Sequence, residues 1–202
     1  MSFLSGIAYA GKNISKKLAT TWTKTLPTTK STRRFRTSWR PGMIEKTILD
    51  MCCGSRMFWF NKRDTRTVFA DIRAEEHKLC DGRRLVISPD LVADFRALPF
   101  ADASFPVVVF DPPHLERVGQ TAWMGKKYGR LNKKTWRADI RAGFKEAFRV
   151  LWPHGVLIFK WNETQIPVSQ ILALTDEKPA IGQRTGKNDK THWIIFVKEG
   201  TA

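Results

Sequence analysis

The residues with the most chemistry in this chain are Asp111-Pro112-Pro113-His114. They follow Val107-Val108-Val109-Phe110, a β-branched apolar run that reads as a buried strand. Two prolines cannot continue a β-ladder, so the strand ends at the acid and a rigid turn follows. A carboxylate at the carboxyl end of a buried strand stands where open α/β sheets hold their ligands, unless it is only a strand terminator. Three more acids decide between these readings. Asp50, Asp71 and Asp94 each close an earlier apolar run, at separations of 21, 23 and then 17 residues to Asp111. One strand-terminal Asp is commonly a cap or turn former. Four in succession line one edge of a parallel sheet. In nucleotide-binding strand-helix-strand units, an acid about 20 residues beyond the glycine-rich turn bonds ribose hydroxyls. The turn after Asp50 has Gly54 alone, so it lacks the glycine spacing of a dinucleotide site.

The elements that must position these acids follow from periodicity. Thr47–Asp50 is a strand running into the small-residue turn Cys52-Cys53-Gly54-Ser55, and Met57-Phe58-Trp59-Phe60 predicts a short buried helix after it. Thr67–Asp71, Leu91–Asp94 and Val107–Asp111 are the next three strands. Trp136, Ile140, Phe144, Ala147, Phe148 and Leu151 recur at spacings of three and four, which predicts a helix over 134–151 ended by Pro153-His154-Gly155. Val156–Phe159 is a fifth strand. Lys160-Trp161-Asn162 follows on the same sheet edge and either reaches a bound molecule or simply packs and snorkels. A short helix is expected over 168–174. Ala180-Ile181 and His192–Val197, separated by Gly186-Lys187-Asn188-Asp189, predict a hairpin closing the sheet. Gly182–Lys187 is one residue short of a phosphate loop and precedes a strand, so it is rejected as a nucleotide site.

Charge is the unusual feature of the composition. The 202 residues carry 35 Lys and Arg against 19 acids, a net charge of +16. Residues 1–42 hold nine of the bases and no acid, and residues 116–149 hold ten bases and three acids. The rest of the chain is neutral. Such an excess favours a polyanionic partner, nucleic acid ahead of an anionic membrane. Arg117, Lys126, Lys127, Arg130, Lys133 and Lys134 are the candidate phosphate contacts, with Trp123, Tyr128 and Trp136 interleaved for stacking. No run approaches the ~18 apolar residues of a membrane span. Cys52, Cys53 and Cys80 form no CxxC pair and no even disulfide framework, which predicts a reducing, cytoplasmic setting. Adjacent cysteines with no second pair make poor metal ligands, so no metal is expected. Nothing in the sequence names a protein partner.

The ordered set Asp50-x-Cys-Cys-Gly, Asp71, Asp94 with Leu98-Pro99-Phe100, Asp111-Pro-Pro-His and Pro153-x-Gly155 resembles the class I S-adenosylmethionine-dependent methyltransferases. The Asp-Pro-Pro-aromatic element is similar to the Asp-Pro-Pro-Tyr type that acts on adenine N6 or cytosine N4. The compact layout resembles small phage and prophage methyltransferases. The resemblance covers about residues 43–198. It implies a Rossmann-like α/β fold: a mostly parallel seven-stranded sheet with an antiparallel last strand and helices on both faces. It implies that the turn Cys52-Cys53-Gly54 lets the cofactor S-adenosylmethionine approach the backbone, that Asp50 bonds its amino group, Asp71 its ribose hydroxyls and Asp94 its adenine amine. Asp111 and the carbonyl after it would hold an exocyclic amine of DNA or RNA, with its lone pair aimed at the methyl group. Pro112 and Pro113 would stiffen that turn. His114 stands where Tyr, Phe or Trp stacks on the base; it would stack over a smaller area, bond to a base edge, or merely cap the turn.

Residues 43–202 are then the methyltransferase domain. Residues 1–42 read as a basic, loosely ordered N-terminal extension, either a nucleic-acid-binding arm or sequence upstream of a natural start at Met43. Ala8-Tyr9-Ala10 resembles a signal-peptidase site but has no basic n-region before it, and the acid-free composition also fits an organellar transit peptide. Two rivals to nucleic-acid methylation remain: methylation of a protein or small molecule, and a non-catalytic nucleic-acid-binding module.

Overall fold

The computed structural model of the chain describes residues 46–119 and 122–200. The proposed extension over 1–42 lies outside them. Nine strands and three α-helices, besides a single 3-10 turn at Lys187–Asp189, are present among these residues: β1 Ile48–Asp50, β2 Thr67–Asp71, β3 Glu75–Lys78, β4 Arg84–Ile87, β5 Leu91–Val92, β6 Phe105–Phe110, α1 Trp123–Tyr128, α2 Trp136–Val150, β7 Leu151–Asn162, α3 Val168–Leu172, β8 Ile181–Thr185 and β9 Thr191–Val197. Seven strands form one sheet in the order β5-β2-β1-β6-β7-β9-β8, and β3 pairs with β4 in a separate hairpin. The first five of these strands run parallel, and β9 is antiparallel to both its neighbours. This is the mostly parallel Rossmann-like sheet with a reversed last strand that the sequence predicts.

Register decides which residues share a face. Leu49, Val108, Leu157 and Phe196 lie side by side, as do Phe110 and Phe159 two residues on. Helix α2 covers this face. Phe144 packs edge-on to Phe110, with ring centres 5.6 Å apart, and tilts against Phe159 at 4.9 Å. The helix lies close because Gly143 faces the sheet: a Cβ there would come within 2.4 Å of Phe110 Cζ and 2.9 Å of Phe95 Cδ2. Trp136, Ile140, Phe144, Ala147 and Phe148 are all buried, as the spacing requires.

The opposite face carries Asp50, Phe69, Val109, Ile158, Lys160 and Trp193. The β1–β2 crossover folds over it, and here the sequence expectation is corrected. Met57–Phe60 forms no helix; it lies in a succession of turns. Four consecutive apolar residues give a helix no polar face, and so short a segment cannot offset the cost of nucleation. Its aromatics grip the sheet instead. Trp59 packs edge-on to Phe69 at 5.0 Å and Phe58 edge-on to Trp193 at 5.6 Å, while Met57 and Phe60 are exposed. The remaining early crossovers are likewise without helices: β2 connects to β5 through the β3–β4 hairpin, and β5 to β6 through turns.

A second correction concerns β7. It begins at Leu151, where α2 stops, so Pro153-His154-Gly155 lies inside the strand rather than beyond the helix. The irregularity appears as a register shift against β6 between Phe105 and Val107. Among the described residues no helix is long and apolar enough to cross a membrane.

Candidate active site

The chain leaves β1 toward β2 on one side and returns to β6 on the other, so the sheet order reverses between β1 and β6. A crevice opens outside the strand ends at such a point. The turn after Asp50 and the turn at Asp111 are the two segments that flank it. Asp50 and Asp71 share the face gripped by Phe58 and Trp59, and continuing the register sets Asp111 beside Lys160 on that face.

Asp50 is fully buried beneath the turn. One oxygen accepts the Cys52 amide N–H at 3.2 Å and the other the Trp59 indole N–H at 2.7 Å. Burial pushes its pKa from 3.8 to about 7, and the nearby Asp111 and Asp71 add to the rise, against the lowering effect of its two hydrogen bonds. The folded state therefore holds a proton that the unfolded chain releases, so stability falls as pH rises from about 4 to about 7. Asp50→Asn is expected to flatten that slope in urea melts compared at pH 5 and pH 7. A variant slope as steep as the wild type's would assign the effect to other groups.

A cavity lies above this turn, lined by Met51, Cys52, Cys53, Gly54, Phe58, Asp71, Ile72, Arg73, Phe95, Asp111, Pro112, Pro113, His114, Lys127, Tyr128 and Lys160. Gly54 has a φ of +50°, the left-handed region, and its N–H donates to Asp71 Oδ2 at 2.9 Å. Asp71 Oδ1 accepts from the Arg73 backbone N–H at 2.9 Å and its Nε at 3.3 Å. Cys53 is tied to β2 through its N–H and the Ala70 carbonyl at 2.8 Å. Burial pushes the Cys53 thiol up to about 12 and the Cys52 thiol up as well, so both stay protonated and line the cavity as small side chains. Apolar faces from Met51, Phe58, Ile72 and Phe95, a carboxylate at the end of β2 and side-chain-free backbone at Gly54 suit a ligand with a flat ring, a diol and a cationic centre.

Of the residues expected to hold such a cofactor, Cys52, Cys53, Gly54 and Asp71 reach the cavity. Asp50 lies below it and acts on it through the turn. Asp94 is not brought in. Its carboxylate accepts from Arg96 Nε at 3.0 Å and Nη2 at 2.6 Å, and Arg96 also bonds Asp139 at 2.8 Å. The neighbouring Phe95 lines the cavity in its place. The sequence reading also missed Arg73, whose guanidinium spans from Asp71 to the Lys126 carbonyl at 2.9 Å and so ties the end of β2 to α1.

Asp111 faces two spaces. Beside the first cavity lies a second, lined by Asp111, His114, Leu115, Met124, Tyr128, Lys160, Asn162, Thr164 and Thr191. Lys160 Nζ donates to Asp111 Oδ2 at 2.6 Å. Burial raises the Asp111 pKa while Lys160 opposes the rise. His114 packs between Tyr128, at 5.5 Å between ring centres, and Trp161, at 6.4 Å. Burial, and secondarily Lys160, lower its pKa to about 4, so the ring is neutral near pH 7. Neither of its nitrogens has a hydrogen-bond partner among the described residues.

The basic segment divides. Lys127 lines the first cavity and sits over the rings of Tyr128 and Trp123, at 5.0 and 5.8 Å from their centres. Lys126 contributes its carbonyl to Arg73. Arg117, Arg130, Lys133 and Lys134 line a separate surface groove with Glu116 and Asn132. Trp136, expected among the stacking aromatics, is the first residue of α2, is buried in the core and is not available to a base.

No family model matches the sequence, and no curated protein matches it significantly. Among solved structures the chain is similar to the PH0226 protein from Pyrococcus horikoshii OT3, at 17% identity over 75% of this chain and 81% of that one, with a TM-score of 0.49. It is similar to a SAM-dependent methyltransferase from Methanosarcina mazei, at 12% identity over 76% and 92%, with a TM-score of 0.45. It is also similar to the N-methyltransferase NodS from Bradyrhizobium japonicum WM9, at 14% identity over 75% and 85%, with a TM-score of 0.46.

Proposed function

We propose that the chain is an S-adenosylmethionine-dependent methyltransferase acting on an exocyclic base amine, adenine N6 or cytosine N4, in DNA or RNA. The observation that carries this reading is the position of Asp111, at the switch point of the sheet and between two adjoining cavities. The first cavity takes the cofactor, with Asp71 toward the ribose, Gly54 beneath the methionine part and Phe95 and Ile72 toward the adenine. When bound there, the cofactor would supply an electrophilic methyl group: as the N–C bond forms, the C–S bond would break with its electron pair on sulfur, S-adenosylhomocysteine would be the leaving group, and the methylated nitrogen would release one proton to solvent. Asp111 Oδ1 and the Pro112 carbonyl accept the two amine hydrogens and thereby fix the direction of the nitrogen lone pair. The neutral His114 ring and Tyr128 flank the base. Such a transfer depends less on strong acid–base help than on alignment, which a partly buried carboxylate on a proline-stiffened turn provides.

The polynucleotide part of the reading draws on charge pairing. Arg56, Arg66, Arg73, Arg83, Arg84, Arg96 and Arg149 each pair with a carboxylate. Arg117, Arg130, Lys133 and Lys134 form no ion pair with any of the described residues, and they share one groove whose lining starts two residues beyond His114. Unpaired cations beside an acceptor pocket suit a phosphate backbone, whose binding weakens steeply with salt.

The test is incubation with methyl-labelled cofactor and DNA, RNA or protein, with modified nucleosides identified by mass spectrometry. Label on N6-methyladenine or N4-methylcytosine is the expected result; label only on protein or small molecules overturns it. For the groove, the double variant Arg130→Glu, Lys133→Glu is expected to make the slope of log affinity against log salt shallower by about two, read by fluorescence anisotropy. An unchanged slope removes these cations from the interface.

A further inference from the structure

Most strand-end and turn aspartates in the described chain are satisfied in the same way. Asp50 accepts from the N–H of Cys52, Asp71 from Arg73 and Asp94 from Arg96, each two residues further on. Asp64 and Asp81 do likewise with Arg66 and Arg83. In this local turn the chain caps its own carboxylate. Asp111 cannot do so. Positions 112 and 113 are both proline and have no N–H to give. Its one hydrogen-bond partner among the described residues is Lys160 Nζ, on Oδ2. Oδ1 is left without one.

Lys160 is itself held in place. Its ammonium lies 5.3 Å from the centre of the Phe58 ring and 5.6 Å from that of Trp193, its register partner on β9. The β6–β7 register pairs Phe110 with Phe159, so Asp111 and Lys160 emerge side by side.

We propose that Lys160 is a positioning residue for methyl transfer: it holds Asp111 as a carboxylate with Oδ2 occupied, while Pro113, by withholding an N–H, keeps Oδ1 open for the acceptor amine. The proposal rests on the reading of Asp111 as the acceptor of that amine. Its chemistry is specific. An ionised Asp111 accepts the amine's N–H and leaves the nitrogen lone pair free. A protonated Asp111 would donate its O–H to that lone pair and block the nucleophile. The other groups around Asp111 do not replace Lys160. Asp50 and Asp71 are acids and bring no positive charge, His114 is neutral near pH 7, and Arg73 is tied to Asp71 and the Lys126 carbonyl. Lys127 and Tyr128 approach from α1, with Lys127 turned over the aromatic rings.

Lys160→Met, Lys160→Arg and Pro113→Ala are compared with the wild type on the substrate the wild type labels, by pH profiles of kcat and by melting temperature. Lys160→Met is expected to lose about 10–100-fold in kcat at pH 7. Its acid limb moves to higher pH, so the deficit shrinks at pH 9, and KM for the cofactor changes little. Lys160→Arg keeps the acid limb near its wild-type position. Pro113→Ala also loses kcat, but its limb does not move to higher pH, because the new N–H occupies the carboxylate while stabilising its charge. A Lys160→Met loss that is equal at every pH overturns the proposal, as does a wild-type limb. If Lys160→Met does not fold, a Pro113→Ala enzyme with undiminished kcat overturns it. Wild-type activity that survives in Asp111→Asn refutes instead the underlying reading of Asp111.

Discussion

Asp111→Asn is expected to lower kcat for methyl transfer about 10²–10⁴-fold while leaving cofactor affinity within a small factor of the wild type. The substitution keeps the shape of the turn and changes only its hydrogen bonding. An asparagine must give its single oxygen either to Lys160 Nζ, now 2.6 Å from Asp111 Oδ2, or to the acceptor amine. Whichever it chooses, its NH2 group faces a donor. The turn then repels the amine or releases the lysine, and the alignment of nitrogen with methyl group is lost. Single-turnover kinetics with labelled cofactor, alongside calorimetry with S-adenosylhomocysteine, separate the two quantities. Activity within about threefold of the wild type would remove Asp111 from the reaction.

Asp71→Asn should act in the opposite way, on binding before chemistry. Asp71 is 4% exposed and uses both oxygens, one on the Gly54 N–H and one on Arg73. An amide nitrogen at either position meets a donor, so the variant both loosens the turn under the cofactor and weakens the ribose contact. The expected result is a rise of about 10–100-fold in the cofactor Kd, with kcat at saturation less affected. An unchanged Kd would mean that the cavity above Gly54 is not the cofactor site.

Much of this arrangement is legible in the sequence. Thr67–Asp71 is read as a strand to its exact ends, since a β-branched run stopped by an acid leaves little ambiguity. Helix α2 follows from its apolar spacing and the β8–β9 hairpin from the turn residues between its strands, while the reversal of the last strand against the sheet comes from the family resemblance. The losses have physical causes. Whether Met57–Phe60 coils or lies irregular depends on what Phe58 and Trp59 pack against, namely Trp193 and Phe69, and local propensity does not contain that information. Asp94 looks equivalent to Asp50 and Asp71 until Arg96 claims it. A signal for that was present: outside the helices Asp-x-Arg occurs at Asp64, Asp71, Asp81 and Asp94, and in each case the arginine folds back on the acid, whereas at Asp139 the helix α2 carries Arg141 away and Arg96 takes the carboxylate. The same pattern points to Arg73. The partnership of Asp111 with Lys160 has no local signal, because strand register alone brings the two together across 49 residues.

The helix-free crossover between β1 and β2 has a consequence for how the molecule assembles. β1 is three residues long and pairs only with β2 and β6. Among the described residues no helix adjoins it in the sequence to give it early local structure, and closing the β1–β2 loop costs entropy that only sequence-distant pairing can offset. The β6-α2-β7 segment, by contrast, carries its own helix against its own strands. The order of assembly this implies puts the Asp111 side of the crevice in place first, with the Asp50 side joining last and cooperatively.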